Sequence, residues 1–443
     1  MCSSDLTSLE LQRRTGDGDF ALLQNLASNA LSFIDATTVP DTTYEYRLRA
    51  VKGEEVSTWT VAVSVTTPDQ FSPAGTVWDG GGADTLFSTP ANWDRNLAPL
   101  FDGSLYLNFA TAGSVATVNT YAHLLGMSVH RAADFLFADG GGTLDLGARG
   151  IRAVPPVDQS RTYTVAAHVV LSADQCWGIT NSGSGVTALV VSGPVSDGDA
   201  SFGFSKSGDG LLTLSGDSDF DGVTRVAAGG GIRVLHDHGL GSAAGGTDVA
   251  SNGWIEVCGG VNVPEPLILR DAGASGALRS PQGTNVWSGA LTLAAPTRLW
   301  AAEGSRLSLA GGVSGTADLL LSPDAGGELV VTGSPVSLPG RKIAALGEGT
   351  VTFASGGHLY GTLEVSGAGM RLRMAATNAL SATGILAIGS GYSSQGLVDL
   401  NGFDQTVGRL VRGTTATTSN RVVTSDAPAT LTVNETSASA RLS

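Results

Sequence analysis

The chain has 443 residues, of which 61 are glycine, about twice the usual share, and a net charge of −15 with lysine only at positions 52, 206 and 342. Phosphate binding needs clustered Lys and Arg, so this balance excludes nucleic acid as a partner and opposes an anionic membrane surface. A hydrophobic fraction of 42% beside 15% charged residues marks a folded chain, β-rich and broken by many tight turns. No apolar run reaches the eighteen residues a spanning helix needs. Cys2, Cys176 and Cys258 are too scattered for a zinc site or a disulfide framework.

Taken from the start, MCSSDL (1–6) resembles a translated sequencing adapter. The natural protein is therefore expected to begin upstream, and no signal peptide is read here. Residues 7–68 carry short alternating stretches: LELQR (9–13), FALLQNL (20–26), LSFID (31–35), YEYRLRA (44–50) and TVAVSVTT (60–67). In YEYRLRA, Tyr44, Tyr46, Leu48 and Ala50 share one face, and Glu45, Arg47 and Arg49 the other, as in a half-buried strand. This pattern resembles the later strands of a fibronectin type III domain, with Tyr44 at the tyrosine corner and closure at Thr66-Thr67-Pro68. About sixty residues of a ~100-residue sandwich are matched. The resemblance implies a partial β-sandwich without its first two strands, poorly stable alone.

Residues 69–75 read as a Pro/Gly linker. TVWDGGGADTLFSTPANWDRNLAP (76–99) follows, and from there short β runs alternate with Gly, Ser, Asn or Asp. They include LLTL (211–214), VTRV (223–226), IRVL (232–235), WIEV (254–257), LTL (291–293), RLSL (306–309), LLL (319–321), ELVV (328–331), TVTF (350–353) and TLEV (362–365). No helical periodicity of useful length is present. The phrase SGDGLLTLSG (207–216) is echoed by DAGGELVVTGS (324–334) and more loosely by LGEGTVTFASG (346–356). So long a tract with a recurring phrase favours a coiled β-solenoid over one sandwich.

Trp78-Asp-Gly-Gly-Gly with Asn92-Trp93 looks like the opening of large bacterial surface proteins with autotransporter-type repeats. Residues 205–260 are similar to the passenger-associated transport repeat of such proteins, which pairs a G-x-G-x-L-x-L-x-G phrase with an aromatic turn, a β pair and a later "LGS…V…G" rung. Residues 289–333 and 396–413 look like companion rungs. This resemblance implies that 76–443 form a right-handed parallel β-helix displayed outside a bacterial cell.

Two motifs invite a metal. In GDSDFDG (216–222), Asp217, Asp219 and Asp221 resemble half of a calcium loop, but the twelfth position is Ala228, where a bidentate Glu is needed, and flanking helices are missing. The stretch therefore reads as a solvated turn between LLTL and VTRV with Phe220 as its aromatic residue. In His236-Asp237-His238, an extended strand would place both rings on one face, with no third ligand nearby. Neither is expected to hold a metal, and no cofactor is expected.

Hydrolase and nucleotide motifs are absent. A carbohydrate-active alternative would draw on Asp217, Asp219 and Asp221 with Arg225, or on Trp254, Trp287 and Trp300 as a sugar-stacking face. The tryptophans otherwise read as buried or edge-covering residues of the coil. The expectation is a non-catalytic structural or adhesive passenger of a bacterial surface or secreted protein, extracellular and outer-membrane associated. It would be monomeric, have no membrane span in this fragment, and meet a host-cell, matrix or polysaccharide surface. The alternative is a carbohydrate-binding or polysaccharide-degrading β-helix.

Overall fold

A computed structural model describes residues 7–435 except 16–17, 31–32, 34, 36–41, 54, 67–76, 111–112, 271–275, 390–394 and 413–420. The segments read as an adapter remnant (1–6) and as a linker (69–75) lie outside the described residues, as does most of LSFID. The chain divides into two compact units, Met1–Ala74 and Gly75–Ser443. Among the described residues there is no α-helix, only two short 3-10 turns at Pro90–Asn92 and Asp94–Asn96. No helix is long and apolar enough to cross a membrane, which says nothing of strands that could do so in a barrel.

Among its described residues the first unit is one antiparallel sheet of five strands. Thr43–Lys52 lies at its centre, paired along its length with Ser8–Thr15 on one edge and with Glu55–Val56 and Val63–Thr66 on the other. Ala21–Ala27 extends the sheet beyond Ser8–Thr15. The alternation in YEYRLRA is realised, but among the described apolar residues of this unit only Tyr44 is buried. The opposite face is built from directly opposed pairs: Arg14 with Glu45, Gln12 with Arg47 and Glu10 with Arg49, joined at 2.5 to 2.7 Å. Phe20 and Trp59 interleave with these guanidinium groups. Arg47 stands 4.0 Å from the Phe20 ring and 4.5 Å from Trp59, and Arg49 lies 4.4 Å from Trp59. Cation–π stacking of this kind keeps a polar face ordered without burying it.

The second unit is a parallel β-solenoid of about 13 turns. Parallel pairing spaces successive turns by about 4.8 Å, so the stack is about 60 Å long. Leu214 pairs with Val234 and Val234 with Val257, so these turns take 20 and 23 residues. Strands that the sequence marks as Leu211–Leu214, Leu291–Leu293, Arg306–Leu309, Glu328–Val331 and Thr350–Phe353 form with those bounds. Period-two alternation turns every second residue inward, and stacking then aligns inward residues into columns. One column runs Leu189, Leu212, Ile232, Ile255, Leu278, Leu299, Leu321. Another runs Val263, Trp287, Leu309, Val331, Phe353, Met374, and every side chain in both columns is buried. Each such residue contributes about 1.5–3 kcal/mol on burial.

A third column carries an exception. Trp177 is followed by Lys206 and then Val226, and Lys206 is fully buried, its ammonium donating to the carbonyls of Ser207 and Gly208 at 2.9 and 2.7 Å. Burial pushes its pKa down to about 8.

At the start of the solenoid, Trp78 and Trp93 meet edge to face at 5.0 Å and pack with Phe87 and Phe109. Trp93 Nε1 donates to the Phe87 carbonyl at 2.8 Å. The W-D-G-G-G…N-W stretch thus closes the first turn with a cluster of rings whose area and T-shaped geometry both stabilise.

GDSDFDG is not a turn. It forms an extended side of its coil between bends at Gly216 and Gly222, where the Asp219 amide donates to the Val195 carbonyl of the preceding coil. Ser218 and Phe220 point inward, and Asp217 and Asp219 are exposed. A Cβ at Gly222 would sit 2.1 Å from the Phe202 carbonyl carbon, so the corner needs glycine for close backbone stacking.

Candidate functional site

Corner stacking brings the two metal-suggestive motifs together. Because Leu214 pairs with Val234, residue 217 falls over residue 237 of the next coil, between His236 and His238. His236 and His238 lie in a bend and turn after strand Gly231–Val234, not on an extended strand. That turn folds the two rings to a centroid separation of 5.9 Å. Asp217 Oδ1 accepts from or faces His238 Nδ1 at 2.9 Å and lies 3.7 Å from His236 Nδ1. The expectation that the two histidines lack a third ligand is therefore overturned: Asp217 supplies it from the coil below. Asp217, His236 and His238 each offer one donor atom, all within 4.8 Å of one another. Among the described residues this is the one place where three such groups converge.

The other members of both motifs face elsewhere. Asp221 takes the Ser242 hydroxyl, and the Asp237 carboxylate accepts the Asn262 amide at 2.7 Å from the following coil. Asp219 stands alone on the outer face, two residues along from Asp217. Among the described residues Asp217 groups with His236 and His238, and neither Asp219 nor Asp221 joins it in a ligand cluster. The calcium candidates Asp217, Asp219 and Asp221 thus do not form one ligand set.

Of the three tryptophans only Trp287 leaves the outer face; Trp254 and Trp300 both flank Arg279 on the outward side of one sheet. Trp287 is fully buried, its Nε1 donating to the Glu265 carbonyl at 2.8 Å. Trp254 is half-buried under the Arg279 guanidinium at 4.5 Å, and Trp300 bonds Asp324 at 3.0 Å.

A second polar cluster escaped the sequence reading because its members are brought together only by strand register. His123 pairs with Asp145 across adjacent coils, Nδ1 to Oδ2 at 2.5 Å, while the hydroxyls of Tyr121 and Ser172 donate to the same carboxylate. Burial works to raise the Asp145 pKa, but the bonds from Ser172, Tyr121 and His123 outweigh it and hold the carboxyl below its usual range. Ser172 bonds Asp145 directly and not through His123, so the imidazole is not placed between acid and hydroxyl as a Ser-His-Asp nucleophile requires. The cluster staples three coils.

Glu265 and His358 are among the further titratable groups that lie inside. Burial pushes Glu265 up to about 8, with Thr247 donating to its Oε2 at a long 3.5 Å. Burial likewise drives His358 down to about 4; its Nδ1 accepts the Val336 amide at 2.9 Å.

No family model, curated protein or solved structure matches the chain.

Proposed function

We propose that the chain is a non-catalytic structural or adhesive region of a bacterial surface or secreted protein: an extracellular, right-handed β-solenoid stalk preceded by a partial fibronectin type III sandwich. The observation that supports this reading most is the parallel stacking of about 13 turns, with inward apolar columns such as that from Leu189 to Leu321. Each coil buries its apolar face on the next, so the unit is a sum of many similar interfaces and presents long outer faces for contact. The passenger-associated transport repeat resemblance of residues 205–260 adds the extracellular setting, with a host-cell, matrix or polysaccharide surface as the partner and the monomer as the working unit. The acidic, lysine-poor surface agrees with that setting. The carbohydrate-active alternative would have to use Trp254 and Trp300 without Trp287, which lies in the core.

Antibodies against the solenoid should label intact cells of the bacterium that makes it. Labelling only after the cells are opened would overturn the extracellular assignment. Incubation with pectin, alginate and a broad glycan panel should yield no depolymerisation. Cleavage that disappears in a triple Asp217/Asp219/Asp221→Asn variant would replace the stalk by the enzyme.

A further inference from the structure

We propose that Asp217, His236 and His238 form a binding site for a late first-row divalent cation, with Zn²⁺ as its representative, clamping two adjacent coils at one corner. The argument is geometric. Ligand atoms around a tetrahedral ion with 2.0–2.1 Å bonds sit about 3.4 Å apart. The two nitrogen–oxygen separations at Asp217, 2.9 and 3.7 Å, bracket that value, and all three donor atoms lie within 4.8 Å, so side-chain rotations that draw the two imidazoles together would seat an ion.

The donor set selects the class of metal. Two imidazoles and one carboxylate suit Zn²⁺, Ni²⁺ or Cu²⁺, whereas Ca²⁺ wants six to eight oxygens. The exposure of Asp217 and His238 leaves the fourth position open to water or to an anionic group of a contacting surface.

Backbone contacts already fix the loop. Gly239 N donates to the His236 carbonyl and Ser218 N donates to the His238 carbonyl, whereas the bond from the His238 amide to His236 Nδ1 at 3.2 Å is given up when that nitrogen turns to the ion. Both halves of the site are thereby anchored on β-ladders that do not need the metal to form. Binding would hold the two coils to one another through side chains as well as backbone.

The test is equilibrium dialysis of the full, untagged chain against Zn²⁺, with Co²⁺ absorption as a second readout. One Zn²⁺ per chain is expected, together with the intense visible bands of tetrahedral Co²⁺. Changing an outer-shell partner of a metal ligand typically weakens binding 10- to 100-fold, so Asp217→Asn and His238→Gln, which remove ligands outright, should each weaken it at least about tenfold. Circular dichroism of the metal-free variants should match the parent, since all three side chains are solvent-facing. Cys176, the exposed thiol among the described residues, is the competing soft ligand, and Cys176→Ser should leave binding unchanged. Millimolar Ca²⁺ should neither bind nor displace the Zn²⁺. Absence of stoichiometric Zn²⁺, or binding that survives Asp217→Asn and is lost in Cys176→Ser, would overturn the proposal.

Discussion

The two units of this chain start from the same alternation and end with different interiors. In the first, YEYRLRA alternates faithfully, yet Tyr44 is its one buried apolar side chain among the described residues, and Val61, Val63 and Val65 are exposed by 90, 67 and 48%. In the second, stretches such as Thr187–Val191 alternate in the same way, and the inward Leu189 and Val191 each meet a buried residue from the coil on either side. Alternation makes a strand; stacking makes a core. The sheet is held instead by cross-strand guanidinium, carboxylate and aromatic pairs, each worth about 0.2–1 kcal/mol. The solenoid adds several buried aliphatics per turn at about 1.5–3 kcal/mol apiece.

The largest effect that separates the units should come from a core truncation. Leu299 is fully buried between Leu278 and Leu321, so Leu299→Ala should lower solenoid stability by about 2–5 kcal/mol in urea unfolding. A loss near zero would mean that the columns are not packed as described.

Next in size is a pH effect confined to the solenoid. Glu265 has its pKa raised from 4.5 to about 8, so the folded state binds more protons than the unfolded between those values. Its contribution is therefore fully present below pH 4.5 and is lost as pH rises through 8. His358 is displaced the other way, from 6.5 to about 4, so its contribution is present above pH 6.5 and is lost as pH falls through 4. The interval from pH 6.5 to 8 lies above the His358 window and belongs to Glu265 except at its upper end, where Lys206, pushed down to about 8, begins to add a small opposite slope. Stability there should fall by about 2 kcal/mol in the parent, at 1.36 kcal/mol per unit, and stay nearly level in Glu265→Gln. Equal slopes in the two proteins would refute the assignment.

The smallest effect belongs to the sheet. Arg47→Ala removes its stacking on Phe20 and Trp59 and its bond to Gln12, and should cost about 1 kcal/mol. Faster proteolysis between residues 8 and 66, with the solenoid unaffected, is the expected readout.

Much of the fold was legible because its signal is local. Glycine-bounded apolar runs such as Leu211–Leu214 and Glu328–Val331 mark their own ends. What escaped is set by stacking between coils. GDSDFDG reads as a turn because Asp and Gly dominate it, yet Ser218 and Phe220 alternate with the aspartates, and that period of two belongs to an extended side. The site is half visible in the sequence: both motifs stand out, but nothing local relates one to the other. Only the pairing of Leu214 with Val234 places Asp217 beside the two histidines. The Asp145 cluster, gathered from three coils, left no local mark at all.

Hydrogen exchange on the full chain tests the contrast between the units most directly. Peptides covering Gly231–Val234, Trp254–Cys258 and Leu278–Gln282 should exchange orders of magnitude more slowly than those covering Ser8–Thr15 and Thr43–Lys52, because their opening must break stacked columns. Equal protection in the two units, or slower exchange in the N-terminal sheet, would contradict the account.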